Sequence, residues 1–111
     1  MKRIYIAGPM QGKPHFNYPK FGEIATTLRL GGWVVVSPVE IGDKFGTANE
    51  INDNPDLRAK VMDAELEAVE KCDAIYLLDG WQNSPGAKGE LAVALAHGLQ
   101  VILEGPRHVM R

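Results

Sequence analysis

The chain has 111 residues, which is enough for one hydrophobic core but not for two, so we expect a single domain over residues 1–111. Its apolar share of 45% and charged share of 23% are ordinary for a soluble globular protein. A formal net charge of −2 argues against nucleic acid as the main partner, because binding to its phosphate backbone needs clustered Lys and Arg. Small molecules or other proteins are the expected partners.

Cysteine content and hydropathy indicate the compartment. Cys72 is the single cysteine, which excludes an internal disulfide. The N-terminus lacks the basic-then-apolar layout of a secretory signal, and no apolar run approaches the roughly 20 residues of a membrane span. We therefore expect a cytoplasmic protein without membrane contact, in which Cys72 is a small core residue.

The first apolar run, residues 3–7, predicts a short strand that ends at a turn rich in Gly and Pro. In such a turn bare backbone can approach a ligand, and phosphate is the obvious candidate. A plain connecting loop is the alternative, since neither a Gly-x-Gly-x-x-Gly nor a Walker pattern is present. The residues of this turn are Gly8, Pro9, Met10, Gln11 and Gly12.

The next part of the chain predicts a helix, a strand and a loop. Apolar residues at helical spacing predict a helix over about residues 17–30, with Gly31 as its C′ residue. Residues 33–36 predict a strand buried on both faces. Residues 39–54 contain Gly, Asp, Asn and Thr without a period, which predicts a surface loop long enough to act as a lid over a site.

The second predicted helix, residues 55–72, carries an acidic residue on its apolar side. At 100° per residue, Glu65 falls in the middle of the apolar arc, about 40° from Val61, whereas Asp63 falls on the polar side. A carboxylate aimed into a core costs several kcal/mol unless it is paired, protonated or facing a polar pocket, so Glu65 is a candidate site residue. The alternatives are a rolled helix or a side chain that reaches a basic residue such as Arg58.

The end of the chain predicts a strand at residues 73–78, a helix at 91–97, a fourth strand at 99–103 and a tail at 106–111. The loop before the helix is rich in small residues, and the unpaired N–H groups at a helix start can bind an anion. Glu90 stands beside that helix start.

The alternation of strands and helices predicts an α/β fold, a small doubly wound, flavodoxin-like or Rossmann-like three-layer sandwich with a parallel sheet of four or five strands. Ligands in such folds bind beyond the carboxyl ends of the strands, where the loops at residues 8–12, 37–38 and 79–90 should converge on one crevice. The last helix is apolar on every side, which predicts that a second subunit covers it and that the protein is a homodimer.

Tyr5, Glu65 and Glu90 could then lie near one another at this crevice. Two carboxylates around one pocket suit glycosidic chemistry, in which one attacks or stabilises the anomeric carbon and the other handles the proton of the leaving group. No His, Cys, Asp or Glu cluster has metal-ligand spacing, so neither a metal nor a cofactor is predicted.

Three segments, which occupy residues 4–9, 65–75 and 84–90 and carry these side chains, resemble the nucleoside 2-deoxyribosyltransferase-like superfamily. The likeness runs over nearly the whole chain. It is closest to short members, which are the 2′-deoxynucleoside 5′-phosphate N-hydrolases and an uncharacterised family common in phages and bacteria.

The resemblance implies that Glu90 is the nucleophile that attacks C1′ of a deoxyribosyl unit and that Tyr5 orients this carboxylate. Ser84 and Gly86, together with the turn at residues 8–12, would bind a 5′-phosphate. The substrate would therefore be a small-molecule nucleotide.

The chain departs from this family at two positions. The acid on the second helix is usually an Asp, and the matching position, eight residues before Asp73, is Glu65, with Asp63 as a possible substitute. The first turn lacks the Arg that the hydrolases commonly have and contains Gln11 and Lys13. Binding is therefore better supported than catalysis.

Two further residues, which follow the third predicted strand, are candidate ligands. Asp79 is either a ligand of a sugar hydroxyl or a turn residue. Trp81 roofs the pocket or packs at the subunit boundary, with stacking on a nucleobase as the alternative.

The leading function is that of an N-glycosidase or deoxyribosyl-transfer enzyme acting on a deoxynucleoside 5′-monophosphate. A non-catalytic nucleotide-binding or sensing module is the competing function, and a phosphoribohydrolase ranks last because its Gly-rich pattern is incomplete.

Overall fold

A computed structural model describes residues 2–105 as a four-stranded parallel sheet with helices on both faces. The strands are β1 (Arg3–Ala7), β2 (Val34–Val36), β3 (Ala74–Leu77) and β4 (Gln100–Leu103). The helices are α1 (Tyr18–Leu30), α2 (Pro38–Asp43), α3 (Ala48–Asp53), α4 (Pro55–Glu70) and α5 (Pro85–Ala96). The strand order is β2-β1-β3-β4, which confirms the predicted doubly wound α/β fold.

Strand β1 contributes side chains to two separate hydrophobic cores, one on each face of the sheet. Ile4 and Ile6 pack in the core under α1, whereas Tyr5 and Ala7 pack in the core under α4 and α5. This division follows from the period of two along a strand, because successive side chains point to opposite faces. Tyr5 is therefore directed to the α4 and α5 side by its register between the two isoleucines.

Strand β2 lies at an edge of the sheet, so the prediction that residues 33–36 are buried on both faces is wrong. Val34 is 38% exposed and only Val35 is buried. A run of β-branched residues fits an edge strand as well as a central one, because it reports the pleated conformation. Helix α1 ends at Leu30, as predicted, but Gly31 is its C-cap residue and the left-handed φ of 94° belongs to Gly32.

The predicted lid loop at residues 39–54 is wrong, because this segment contains the two short helices α2 and α3. Ser37 caps α2 by accepting a hydrogen bond from the Val39 N–H at 3.2 Å. Thr47 and Glu50 form a capping box at the start of α3. Each helix has six residues, which is less than two turns and too short to show a helical period.

Helix α4 begins where predicted and ends two residues earlier than predicted, and the Asn54 side chain caps it. Helix α5 begins at Pro85, six residues before the predicted start, with Ser84 as its N-cap. Gly86 and Gly89 have low helix propensity and conceal this first turn in the sequence. Glu90 consequently lies in the second turn of α5 and not beside the helix start.

Two further expectations concern burial and the chain ends. Cys72 is buried in the core, as predicted, and burial raises the pKa of its thiol to about 11. No helix within residues 2–105 has both the length and the hydropathy that a membrane crossing requires. The predicted tail at residues 106–111, with His108, lies outside the described residues.

Candidate active site

A cavity of about 260 Å³ lies at the carboxyl ends of the strands, where the fold class predicts a ligand site. Its wall is formed by the turn after β1, by residues of α2 and α3, by one face of α4, and by the start of α5. Glu65 and Glu90 both line it, so the two carboxyls predicted to act together share one cavity.

Tyr5 and Glu90 form a buried pair in which the Tyr5 hydroxyl donates a hydrogen bond to Oε2 of Glu90. Tyr5 is 0% exposed and Glu90 is 7% exposed. Glu90 reaches this position because it lies on the buried stripe of α5, one turn after Ala87 and one turn before Ala94. The strand register of β1 and the helix register of α5 therefore bring the pair together.

The surroundings of the pair keep both groups protonated to unusually high pH. The pKa of Glu90 is raised to about 8, mainly by burial and also by the charge of Glu65, while the hydrogen bond from Tyr5 opposes this rise. Burial raises the pKa of Tyr5 well above its ordinary value, and the negative charges of Glu90 and Glu65 add to this. Tyr5 is thus a hydrogen-bond donor throughout the physiological range.

Glu65 projects from the inward face of α4 and is half-buried. Burial raises the pKa of its carboxyl to about 7. Within residues 2–105 it forms no ion pair, so the alternative in which it pairs with Arg58 does not apply. Asp63 is exposed, in agreement with its predicted position on the polar side of the helix.

The turn after β1 contributes four of its five predicted ligands to the cavity wall. Gly12 is exposed and is not part of that wall; its φ of 80° turns the chain away. Gln11 donates from Nε2 to Oδ1 of Asn52 at 3.1 Å and so joins this turn to α3. The four lining residues are Gly8, Pro9, Met10 and Gln11.

Ser84, as the N-cap of α5, and Gly86, in its first turn, line the cavity as predicted. The Ser84 hydroxyl accepts a hydrogen bond from the Ala87 N–H at 3.2 Å. The N–H of Gly86 belongs to the first turn, whose N–H groups have no partner within the helix. This end of α5 is therefore suited to an anion.

Two predicted ligands of the last loop are not part of the cavity wall. The side chain of Trp81 packs against the core cluster that contains Tyr5 and Leu77. Asp79 is exposed, and its backbone N–H donates to Oε1 of Glu104 at 2.8 Å. The predicted roles of Asp79 and Trp81 as ligands therefore have no support from the cavity wall.

Sequence reasoning missed an aromatic corner in the cavity wall, which Phe16 and Tyr18 form with ring centroids 6.2 Å apart. Three successive residues before α1 have positive φ, at 52°, 54° and 63° for His15, Phe16 and Asn17. Such conformations are costly for residues other than glycine, and the Asn17 amide supports them by donating to the Pro9 carbonyl at 3.0 Å. The Asn at the end of this turn was the one available sequence signal.

Metal binding has no support in the described part of the chain. No group of three or more His, Cys, Asp and Glu side chains that could hold a metal ion is found within residues 2–105. Within the described residues, the groups at this cavity include its two carboxyls, the Tyr5 hydroxyl that is bonded to Glu90, backbone N–H groups and the Arg58 guanidinium.

Comparison with known proteins places the fold. The chain is similar in structure to a 2-deoxyribosyltransferase from Bacillus psychrosaccharolyticus, with a TM-score of 0.69 and 22% identity over 91% of this chain and 70% of that one. It is also similar to the Clostridium botulinum CMP N-glycosidase BcmB, with a TM-score of 0.57 and 22% identity over 92% of this chain and 67% of that one. These similarities confirm the fold expected from the resemblance.

Sequence comparison gives a family. A family model described as "Domain of unknown function (DUF4406)" matches residues 2–103. No curated protein matches the chain.

Proposed function

This chain belongs to the DUF4406 family, and we propose that it is an N-glycosidase or deoxyribosyl-transfer enzyme that cleaves the base–sugar bond of a deoxynucleoside 5′-monophosphate. The observation that carries the proposal is the buried Tyr5–Glu90 pair, which shares a cavity with a second carboxyl from Glu65. The names of the structural neighbours, a 2-deoxyribosyltransferase and a CMP N-glycosidase, agree with this reaction class.

In the proposed reaction, a carboxylate oxygen of Glu90 attacks C1′ while the bond from C1′ to the base nitrogen breaks. The electron pair of that bond leaves with the base, and the Glu65 carboxyl donates the proton that neutralises it. Water then attacks the glycosyl ester and gives its proton to the Glu65 carboxylate. The products are the free base and the sugar phosphate, with both carboxyls restored. In a transfer reaction, a second base takes the place of water.

The two carboxyls share a proton near neutral pH, and the scheme places this proton on Glu65 although the higher pKa is that of Glu90. The reaction needs one proton for two groups, and the raised pKa values of about 7 for Glu65 and about 8 for Glu90 leave a proton in the cavity near neutral pH. Two exposed carboxyls with ordinary pKa values would hold almost none at that pH. The hydrogen bond from Tyr5 favours the charged form of Glu90, which is the form that attacks.

The competing proposal is a module that binds a nucleotide without cleaving it. It is favoured by Glu65, which is one methylene longer than the Asp usual at the matching position, and by the first turn, which lacks an Arg. In this case the carboxyl pair would bind the sugar hydroxyls as a neutral hydrogen-bonding group.

Chromatographic detection of free base separates the two proposals. The pure protein is incubated with each of the four common deoxynucleoside 5′-monophosphates and the matching nucleosides. The proposed enzyme releases free base from at least one monophosphate. Nucleotide binding that is equally tight in a Glu90→Gln variant, without release of any base, would instead identify a binding module.

We also propose that the protein is a cytoplasmic homodimer that uses α5 and β4. Leu95, Leu103 and Val101 are 61%, 40% and 38% exposed, which leaves apolar surface at this end of the sheet. Leu95→Asp should convert a dimer into a monomer in light scattering after size exclusion. A monomeric wild-type protein at micromolar concentration would contradict the dimer.

A further inference from the structure

Arg58 lines the cavity and has no partner within the described residues. It shares one face of α4 with Val61, Met62 and Glu65, which also line the cavity. On an ideal helix these four side chains fall within about 100° of arc. Neither an ion pair nor a side-chain hydrogen bond engages Arg58 within residues 2–105. The ion pairs there are Lys20–Glu104, Arg29–Glu40 and Lys71–Glu67.

The position of Arg58 brings no advantage to the helix. It lies four residues after the N-cap Asn54, near the positive end of the helix dipole, where a cation is disfavoured. Arg58 is exposed and lines the cavity, so its guanidinium is open to a ligand that enters there.

The charge of the cavity points to an anionic ligand. Within residues 2–105, Arg58 is the only Lys or Arg that lines the cavity, and its guanidinium carries a positive charge. The two lining carboxyls, Glu65 and Glu90, have pKa values raised to about 7 and about 8. Below about pH 7 both carboxyls are mostly protonated, so the net charge of these three groups is positive.

The two helices that carry these groups position Arg58 at a useful distance from the carboxyl pair. Helices α4 and α5 each connect parallel strands, so both run opposite to the strands and parallel to each other. Arg58 precedes Glu65 by seven residues, about 10 Å along the axis, and Ser84 precedes Glu90 by six, about 9 Å. Arg58 and the start of α5 therefore lie towards the same end of the cavity, at a separation that a pentose and its phosphate can span.

We propose that Arg58 is the residue that selects a phosphorylated substrate, by binding the phosphate monoester of a nucleotide whose C1′ lies at the carboxyl pair. The guanidinium presents parallel N–H donors that match two phosphate oxygens, and the start of α5 faces the same group. This inference rests on the proposed function and identifies the side chain that distinguishes a nucleotide from a nucleoside.

The test measures binding in a Glu90→Gln background, so that no substrate is cleaved. Arg58→Gln is compared with Lys60→Gln, which removes the same charge from a position of the same helix that does not line the cavity. The probes for isothermal titration calorimetry are the four deoxynucleoside 5′-monophosphates and the corresponding nucleosides. We expect Arg58→Gln to weaken binding of the monophosphate about 10- to 100-fold, as for a hydrogen bond to a charged group. Nucleoside binding should not change, and Lys60→Gln should change neither.

A partial recovery by Arg58→Lys would support the assignment, because lysine keeps the charge but not the paired donors. Equal weakening of monophosphate and nucleoside by Arg58→Gln would overturn it, and so would no effect on either. Absence of monophosphate binding by the parent protein would also overturn it.

Base release by the protein with Glu90 intact separates this inference from the proposed function. Phosphate-dependent binding that requires Arg58, without base release, would leave the inference standing and refute catalysis. Base release from nucleosides and monophosphates at equal rates would support catalysis and refute the role of Arg58 in selecting a phosphorylated substrate.

Discussion

The two faces of the sheet are built by the same strands, yet they differ in what they bury. Under α1, Ile4, Ile6 and Phe21 are at most 1% exposed and form an apolar core. Under α4 and α5, Tyr5 and Glu90 are almost as deeply buried, but they carry a hydroxyl and a carboxyl. The depth of burial is similar on both faces, whereas the chemical groups placed there are not.

The polar groups buried under α4 and α5 lower the stability of the folded protein. Burying a carboxyl costs free energy, which one hydrogen bond from Tyr5 offsets only in part. The apolar face has no such cost. We therefore expect changes under α4 and α5 to alter chemistry and pH dependence, and changes under α1 to alter only the free energy of unfolding.

The largest expected effect comes from Glu90→Gln, which keeps the size of the side chain and removes its ability to attack. Base release should fall by about 1,000-fold or more. The melting temperature should stay the same or rise, because a buried ionisable group is removed. Retention of a substantial share of the activity, measured by chromatography of free base, would exclude Glu90 as the nucleophile.

The second prediction concerns stability and pH. In the folded protein, the pKa of Glu90 is about 8 instead of 4.5, so the folded state binds more protons than the unfolded state between these values. The free energy of unfolding must then decrease as pH rises through this window, by at least about 3 kcal/mol at 1.36 kcal/mol per pKa unit. Urea unfolding at pH 5 and pH 8 measures this decrease. Glu90→Gln should reduce it, and an equal decrease in that variant would contradict the assignment.

Glu65→Gln should lower base release about 100-fold, because it removes the proposed proton donor to the base. Asp63→Asn is the matched control, since it removes an exposed carboxyl from the same helix. Initial rates with good and poor leaving bases refine the test. The decrease in rate caused by Glu65→Gln should be smaller for a good leaving base, which depends less on protonation by an acid. A larger loss in the control would transfer the role to Asp63.

Tyr5→Phe should lower activity about tenfold, because it leaves the Glu90 carboxylate without its buried donor. The hydrogen bond from Tyr5 lowers the pKa of Glu90, so its removal should move the acidic limb of the pH–rate profile to higher pH. A profile that keeps its position would show that Tyr5 serves only to fill space.

The smallest expected effect is that of Ile6→Val on the apolar face. It should cost about 1 kcal/mol in the free energy of unfolding, as is usual for the loss of one buried methylene. The rate of base release and its pH profile should match those of the wild type. A shifted pH profile would contradict the expectation that changes under α1 leave the chemistry of the opposite face unaltered.

The parts of the fold that were predicted are those with long periodic signals. Helices α1 and α4 span enough turns for apolar residues to recur, and α4 also revealed Glu65 as an inward-facing acid. Helices α2 and α3 are too short for this signal, and the glycines of α5 hid its first turn. A capping box at Thr47 was nevertheless present in the sequence.

The site was predictable where its residues sit on regular elements. Tyr5 and Glu90 follow from strand and helix registers, so the sequence indicates their faces. Phe16 enters the cavity through a left-handed turn, which has no local sequence period. Arg58 lies about 20° from Glu65 on an ideal helix, so the period that indicates the face of Glu65 also indicates that of Arg58. Asp79 and Trp81 were assigned from their place after a strand, but a tight turn at Gly80, with φ of 88°, leaves them outside the cavity wall.

Gly8 lines the cavity, yet its small size is required by the sheet. A Cβ atom at this position would lie 2.7 Å from the Cβ of Leu78, so any other residue would force apart the ends of β1 and β3. An invariant glycine here among relatives would therefore record the spacing between neighbouring strands and not a shared substrate. Relatives without catalytic activity would still be expected to keep Gly8, whereas Arg58 and Glu90 would be replaced by other residues. These two positions, and not the glycine, should distinguish active relatives from inactive ones.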